Sequence, residues 1–292
     1  MLGFLLAMVV ATTTVVACTD NSSANENLVV VTHVLLQGVV ESLVDDSTKV
    51  VVLMPNGADP HDFEPSAKDI EMLNNATLVV ASGLDMEGGL VDALNNRVAD
   101  GKPVFFGSDH VTLQESEDGE LDPHYWVDPV TLEELIPDLA RALSQALNYP
   151  HGIDVAPVQA KYEVLNTKIA MIMSTVRGPK CQLVTEHELL GYFASRYGCT
   201  IVGTVIPNLS STAAVSAEHI ADLKTTIADY SVGVIFTEGG ATSALISQLG
   251  SEMGVKVIEL PSHRVPDAKD GDTYGTYVIE LASAIADGLR AN

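Results

Sequence analysis

Eight short β-branched runs, set apart by helical patterns and turn signals, constrain this chain's fold more than any other feature. They are "LVVVTH" (28–33), "KVVVLM" (49–54), "ATLVVAS" (76–82), "KPVFFG" (102–107), "CQLVTE" (181–186), "CTIVGTV" (199–205), "SVGVIFTE" (231–238) and "VKVIEL" (255–260). Each is largely apolar along its length rather than alternating with polar residues, the pattern of a strand in a parallel sheet covered on both faces. Four runs lie before residue 110 and four after residue 180. Between the two sets, Val158, Tyr162, Leu165, Ile169, Ile172 and Val176 recur at spacings of four and three, which makes one face of a helix over 155–177, entered at Pro157. The expected fold is α/β: two lobes, each with a four-stranded, mainly parallel sheet flanked by helices, joined by one long rigid helix. The expected boundaries are 28–150, 151–178 for the linking helix, and 179–292; each lobe is large enough to bury a core of its own.

In open α/β sheets ligands collect beyond the carboxyl ends of the strands, so with two lobes the natural site is the cleft between them. Charge narrows what could occupy it. Acidic residues outnumber basic ones 39 to 15, for a formal net charge of −24, and the lysines and arginines are scattered. Nucleic acid requires a basic footprint and is excluded as a partner. A cation suits the balance, as does a generally acidic surface with no specific partner.

The uncharged run "MLGFLLAMVVATTTVVA" ends at Cys18, and a polar stretch follows it. This reads as a secretory signal over residues 1–27 whose cleavage leaves Cys18 for lipid attachment, although no Lys or Arg precedes the apolar run. A spanning helix is the alternative, but the run is short for one and holds three threonines. The expected location is extracytoplasmic, lipid-anchored to the membrane through Cys18 or periplasmic. Cys181 and Cys199 open consecutive strand runs. If those strands are parallel neighbours their starting ends adjoin, so a disulfide and two buried thiols both remain open.

Three of the eight histidines share a setting. His61 sits in "ADPHDFEP", ahead of a helix announced by Ser66 and Asp69. His124 sits in "DPHYWVDP", ahead of a helix with Thr131 and Glu134 in capping-box spacing. His187 follows the run 181–186, where Thr185 and Glu188 offer a third capping box that would place it in a first helical turn. Neutral imidazole is a good donor to Zn²⁺ and similar borderline ions, and three such nitrogens with a fourth donor complete a tetrahedron. The carboxylates of Asp59, Asp62, Glu64, Asp122 and Asp128 are available to orient the rings. Three ligands plus water would also serve a zinc hydrolase, with Glu64 or Glu238 as base. Against an enzyme, the chain holds no HExxH, GxSxG or phosphate-binding glycine loop.

The stretches "GADPHDFEPSAKDIEML", "DPHYWVDP", "TEHELLGYFASRYG" and "VIFTEGGATSALISQLGSEMGVKV" resemble, in that order, the zinc- and manganese-binding substrate-binding proteins of ABC importers. The resemblance runs over roughly residues 28–290. It implies two α/β lobes joined by a rigid helix, metal ligands at His61, His124 and His187, and delivery to an ABC permease and, through it, an ATPase. The chain is expected to act as a monomer. A histidine at the third position implies zinc as cargo, with manganese the alternative. The family's fourth ligand is often an aspartate after the last strand. Here that loop reads "ELPSHRVPDAKDGDTYGTY", so His263 is the expected fourth donor, with Asp267, Glu238 and water as alternatives. The acidic segment before His124 is short and holds only His110. His33, His151 and His219 read as structural or surface residues.

Overall fold

A computed structural model describes residues 27–116, 118–176, 178–265 and 273–291. The first lobe runs β1 (Leu28–Val31), α1 (Val34–Glu41), β2 (Lys49–Val52), α2 (Ala67–Asn75), β3 (Leu78–Ala81), α3 (Val91–Ala99), β4 (Val104–Phe106), α4 (Pro129–Glu134) and α5 (Ile136–Ala146). The long helix α6 (Ala156–Met173) follows. The second lobe runs β5 (Gln182–Thr185), α7 (Gly191–Tyr197), β6 (Thr200–Thr204), α8 (Ala217–Asp229), β7 (Val234–Thr237), α9 (Ser243–Met253), β8 (Lys256–Glu259) and α10 (Thr273–Arg290). Each of the eight expected runs contains a strand, shorter by one to three residues at one or both ends.

Both sheets have four parallel strands, in the orders β2-β1-β3-β4 and β6-β5-β7-β8. Alternate side chains explain why the runs are continuously apolar. In the first sheet, Val29 and Val31 join the central core, while Val30 and Val79 face Leu73, Leu90 and Leu94 on the other side. In the second, Val234 and Phe236 face the central core, and Ile235 and Val184 face Leu223, Ile227, Ile246 and Leu249. The inner strands β1, β3, β5 and β7 are buried almost throughout, so they are largely apolar, while the edge strands β2, β6 and β8 expose Lys49, Thr200, Lys256 and Glu259. Each fully buried apolar side chain contributes roughly 1.5–3 kcal/mol.

The central core is continuous between the lobes, through α6 and α10. Val158, Tyr162, Leu165 and Ile169 on α6 are buried as the spacing predicts. The helix ends at Met173, so Met173 rather than Ile172 takes the last inward position, and Val176 reaches the core from the turn beyond. α10 packs on both α1 and α6, and its Tyr274 donates to the Trp126 carbonyl at 2.8 Å and stacks on Tyr162. It is a second brace between the lobes that the sequence pattern did not announce.

The Cys181–Cys199 disulfide is formed at the starting ends of β5 and β6, which pair as neighbours. The Ser66–Asp69 capping box is present in full. The other two are not. α4 begins at Pro129 and is capped by Asp128, whose Oδ1 accepts from the Val130 amide, while the Thr131 hydroxyl donates to Asp128 Oδ2. The Thr185 hydroxyl donates to the His187 carbonyl, and the Glu188 amide donates to Asn208 O, so the groups a capping box would pair are engaged elsewhere. α7 waits until Gly191, and His187 lies in the bend before it rather than in a first helical turn. The expected leader and Cys18 lie outside the described residues. Among the described residues no helix is long and apolar enough to cross a membrane.

Candidate metal centre

His61, His124 and His187 come together where the carboxyl ends of the two sheets face each other. His61 stands on the loop from β2 to α2, His124 on the segment from β4 to α4, and His187 on the bend after β5. The Nε2 atoms of His61 and His124 are 3.2 Å apart, and those of His187 and His124 are 3.3 Å apart. One donor nitrogen from each of the three lies within 4.8 Å of the others, and among the described residues this is the one group of three or more His, Cys, Asp or Glu with that property. A tetrahedral ion at 2.0–2.1 Å holds its donor atoms about 3.3 Å apart, so the spacing fits such an ion with little movement.

The rest of each ring is held by the protein. Asp122 Oδ1 accepts from the His124 backbone amide at 2.9 Å and lies 2.7 Å from its Nδ1. That contact fixes the tautomer with the lone pair on Nε2, the atom that faces the other two rings. His187 Nδ1 lies 2.5 Å from Glu238 Oε1, a buried ion pair that leaves its Nε2 toward the cluster. His61 is positioned through its backbone, since Asp59 Oδ1 accepts from the His61 amide at 3.0 Å. Asp62 and Glu64 are exposed, and Asp128 is occupied by the α4 cap and by Arg196.

Electrostatics separate the three imidazoles. Burial, reinforced by His124 and His187, lowers His61 to about 3. Burial lowers His124 too, against the opposing pull of Asp122. At His187 burial also acts downward, but the Glu238 carboxylate outweighs it and the pKa is raised. Burial would raise Glu238, yet His187 and His263 hold it well below the usual carboxylate range. His61 and His124 are therefore biased toward the neutral form, with a free ring lone pair, and His187 toward the protonated form, with its Nδ1 on Glu238.

His263 is not gathered with the other three. Its Nε2 lies 2.9 Å from Glu238 Oε2, on the far side of that carboxylate from His187. Asp267 and Gly271, in the same loop, lie outside the described residues. Glu186 is saturated by the Thr237 hydroxyl, the Glu238 amide and the Thr242 hydroxyl.

Several supporting residues carried no sequence signal. Tyr192 of α7 donates to the Asp122 carbonyl at 2.9 Å and accepts from the Gln114 amide, tying the second lobe to the segment that holds His124. α7 comes this close because Gly191 has no side chain: a Cβ there would sit 2.7 Å from Asp122 Oδ2. Behind His124, His33 Nε2 meets Ser82 Oγ at 2.7 Å, and Glu87 accepts from the Thr32 hydroxyl and the Ser82 amide. His33 also caps α1 through Nδ1, and its ring packs edge-on against Trp126, which packs in the same way against His124. His110 stacks on Phe105 and pairs with Asp138, and His219 meets the Thr204 carbonyl, so both are structural.

Residues 29–288 match the family described as ZnuA, zinc-uptake complex component A, periplasmic. The chain is 28% identical over 282 residues to the zinc-binding lipoprotein AdcA of Streptococcus pneumoniae, covering 89% of this chain and 55% of that one. It is 27% identical over 295 residues to the high-affinity zinc uptake system protein ZnuA of Bacillus subtilis, covering 92% and 88%. The chain thus spans about half the length of the streptococcal relatives it matches. Among solved structures, it superposes on the periplasmic zinc-binding protein TroA of Treponema pallidum with a TM-score of 0.78 at 22% identity, over 90% of this chain and 99% of that one. The laminin-binding protein Lmb of Streptococcus agalactiae, described as having adhesin and metal-transporting activity, gives 0.76 at 25% identity over 90% and 99%.

Proposed function

Because this chain belongs to the ZnuA family of periplasmic zinc-uptake components, we propose that it is an extracytoplasmic receptor that captures Zn²⁺ and delivers it to an ABC permease and its ATPase. Family membership supports a binding protein rather than an enzyme. The observation that carries the reading is the meeting of three imidazoles from three separate loops, two of them fully buried, with His124 Nε2 3.2 Å from that of His61 and 3.3 Å from that of His187, the spacing of donors about a tetrahedral ion. All-imidazole donation favours Zn²⁺ over Mn²⁺, which prefers oxygen ligands. In this reading His61, His124 and His187 hold the ion. Glu238 orients His187, and His263 acts on the site through Glu238; the fourth position falls to water or to a movement of Glu238 or His263. Attachment through a lipidated Cys18 would keep the receptor beside its permease.

Metal analysis and competition titration test this. The protein should bind one zinc per chain. His61→Ala, His124→Ala and His187→Ala should each weaken it by a thousandfold or more, and His263→Ala by about 10–100-fold, the usual cost of losing an outer partner. Stoichiometric binding that survives in all three triad variants would refute the assignment. Growth of a deletion strain under zinc chelation tests the uptake role separately.

A further inference from the structure

The loop that carries His61 is fastened to the opposite lobe by backbone-like hydrogen bonds that the metal site itself does not require. Asn56 Nδ2 donates to the Val265 carbonyl at 2.9 Å, and the Val265 amide donates to Asn56 Oδ1 at 2.9 Å. The side-chain amide thus takes the place of a peptide group and pairs with Val265 as a neighbouring strand would. One residue on, the Gly57 amide donates to the His263 carbonyl at 3.0 Å. A turn closed by Ala58 N to Pro55 O presents both groups, with Gly57 at φ 90°, a conformation that suits glycine. Both acceptor residues belong to the loop after β8. Val265 is anchored in the central core, and His263 rests on the Glu238 carboxylate that holds His187.

We propose that Asn56 is a positioning residue that clasps the loop after β8 onto the first lobe, and that this clasp sets how slowly a captured ion leaves. The inference rests on the triad being the seat of the ion. An ion held by rings from both lobes can leave only when the loops bearing them separate. The clasp opposes that separation through groups other than His61, His124 and His187, so it acts on escape and leaves those three donors unchanged. Asp59, two residues before His61, adds a second crossing by accepting from the Ser211 hydroxyl; breaking the Asn56 pair weakens the closure without abolishing it. Asn56 is itself exposed, so replacing it opens no cavity.

The test uses the whole protein with Asn56→Ala and Asn56→Asp; the latter keeps shape and an acceptor but removes the donor to Val265. In zinc-free protein, amide exchange at Gly57 and Val265 should be slow in the parent; Gly57 should accelerate about tenfold in both variants, and Val265 in Asn56→Ala, which alone loses its acceptor. With zinc loaded, release into excess chelator should quicken by a similar factor, while zinc association and the apo melting temperature stay near the parent's. Release rates within twofold of the parent in both variants, or unchanged amide exchange, would overturn the clasp. Failure of the parent to bind zinc would instead overturn the metal assignment, and the exchange measurement on zinc-free protein keeps the two failures apart.

Discussion

Among the buried polar groups near the site, His33 has the simplest consequence for stability. Burial, with His263 and His124 nearby, lowers it to about 3, from an ordinary value of 6.5. Between those values the unfolded chain binds a proton that the folded chain refuses, so the zinc-free fold loses stability as pH falls from about 6.5 toward 3. One such group contributes up to about 1.4 kcal/mol per pH unit within the window. Raised carboxylates such as Glu87 act in the opposite sense, so the comparison must be made between variants. His33→Asn retains an acceptor to cap α1 and removes the titrating ring. Denaturation of the zinc-free protein at pH 7, 6, 5 and 4 should show a shallower slope for the variant, by close to one proton. Identical slopes would mean that His33 takes up its proton in the folded state as readily as in the unfolded one.

Among the elements, the segment from β5 to β6 bears most on the site. It carries His187, Tyr192 and Arg196, and Tyr192 and Arg196 reach across to Asp122 and Asp128 of the first lobe. The Cys181–Cys199 disulfide closes this segment into a loop, with a sequence separation of 18. Loop-closure entropy for a ring of that size corresponds to about 3 kcal/mol. Cys181→Ser with Cys199→Ser should therefore lower the unfolding free energy by about that amount, measured in denaturant. Zinc affinity should fall far less, because the bond lies at the strand ends away from the cluster. An unchanged denaturation midpoint in the double variant would show that the bond does not constrain the unfolded chain.

For the whole molecule, the relevant property is a net charge of −24 around the proposed cation site. Such a field raises the encounter rate with a divalent ion but is screened beyond about 8 Å at physiological ionic strength. The zinc association rate should therefore fall severalfold between about 10 mM and 500 mM salt, with the release rate nearly constant; a flat association rate would assign capture to local geometry alone. The sequence alone determined the two parallel sheets, because the inner strands, buried on both faces, have to be largely apolar along their length. It also singled out the three histidines that meet, because each stands in a loop bounded by recognisable strand and helix signals. It misplaced two helix starts, since the hydroxyls of Thr131 and Thr185 had equally near partners in Asp128 and the His187 carbonyl, and spacing cannot rank them. Only the tertiary structure decided that His263 faces Glu238, that α10 braces both lobes, and that Asn56 pairs with Val265, 209 residues away along the chain. Those contacts join segments remote in sequence, where no periodicity reports which groups will meet, and their partners are set by how the two lobes pack around the shared core.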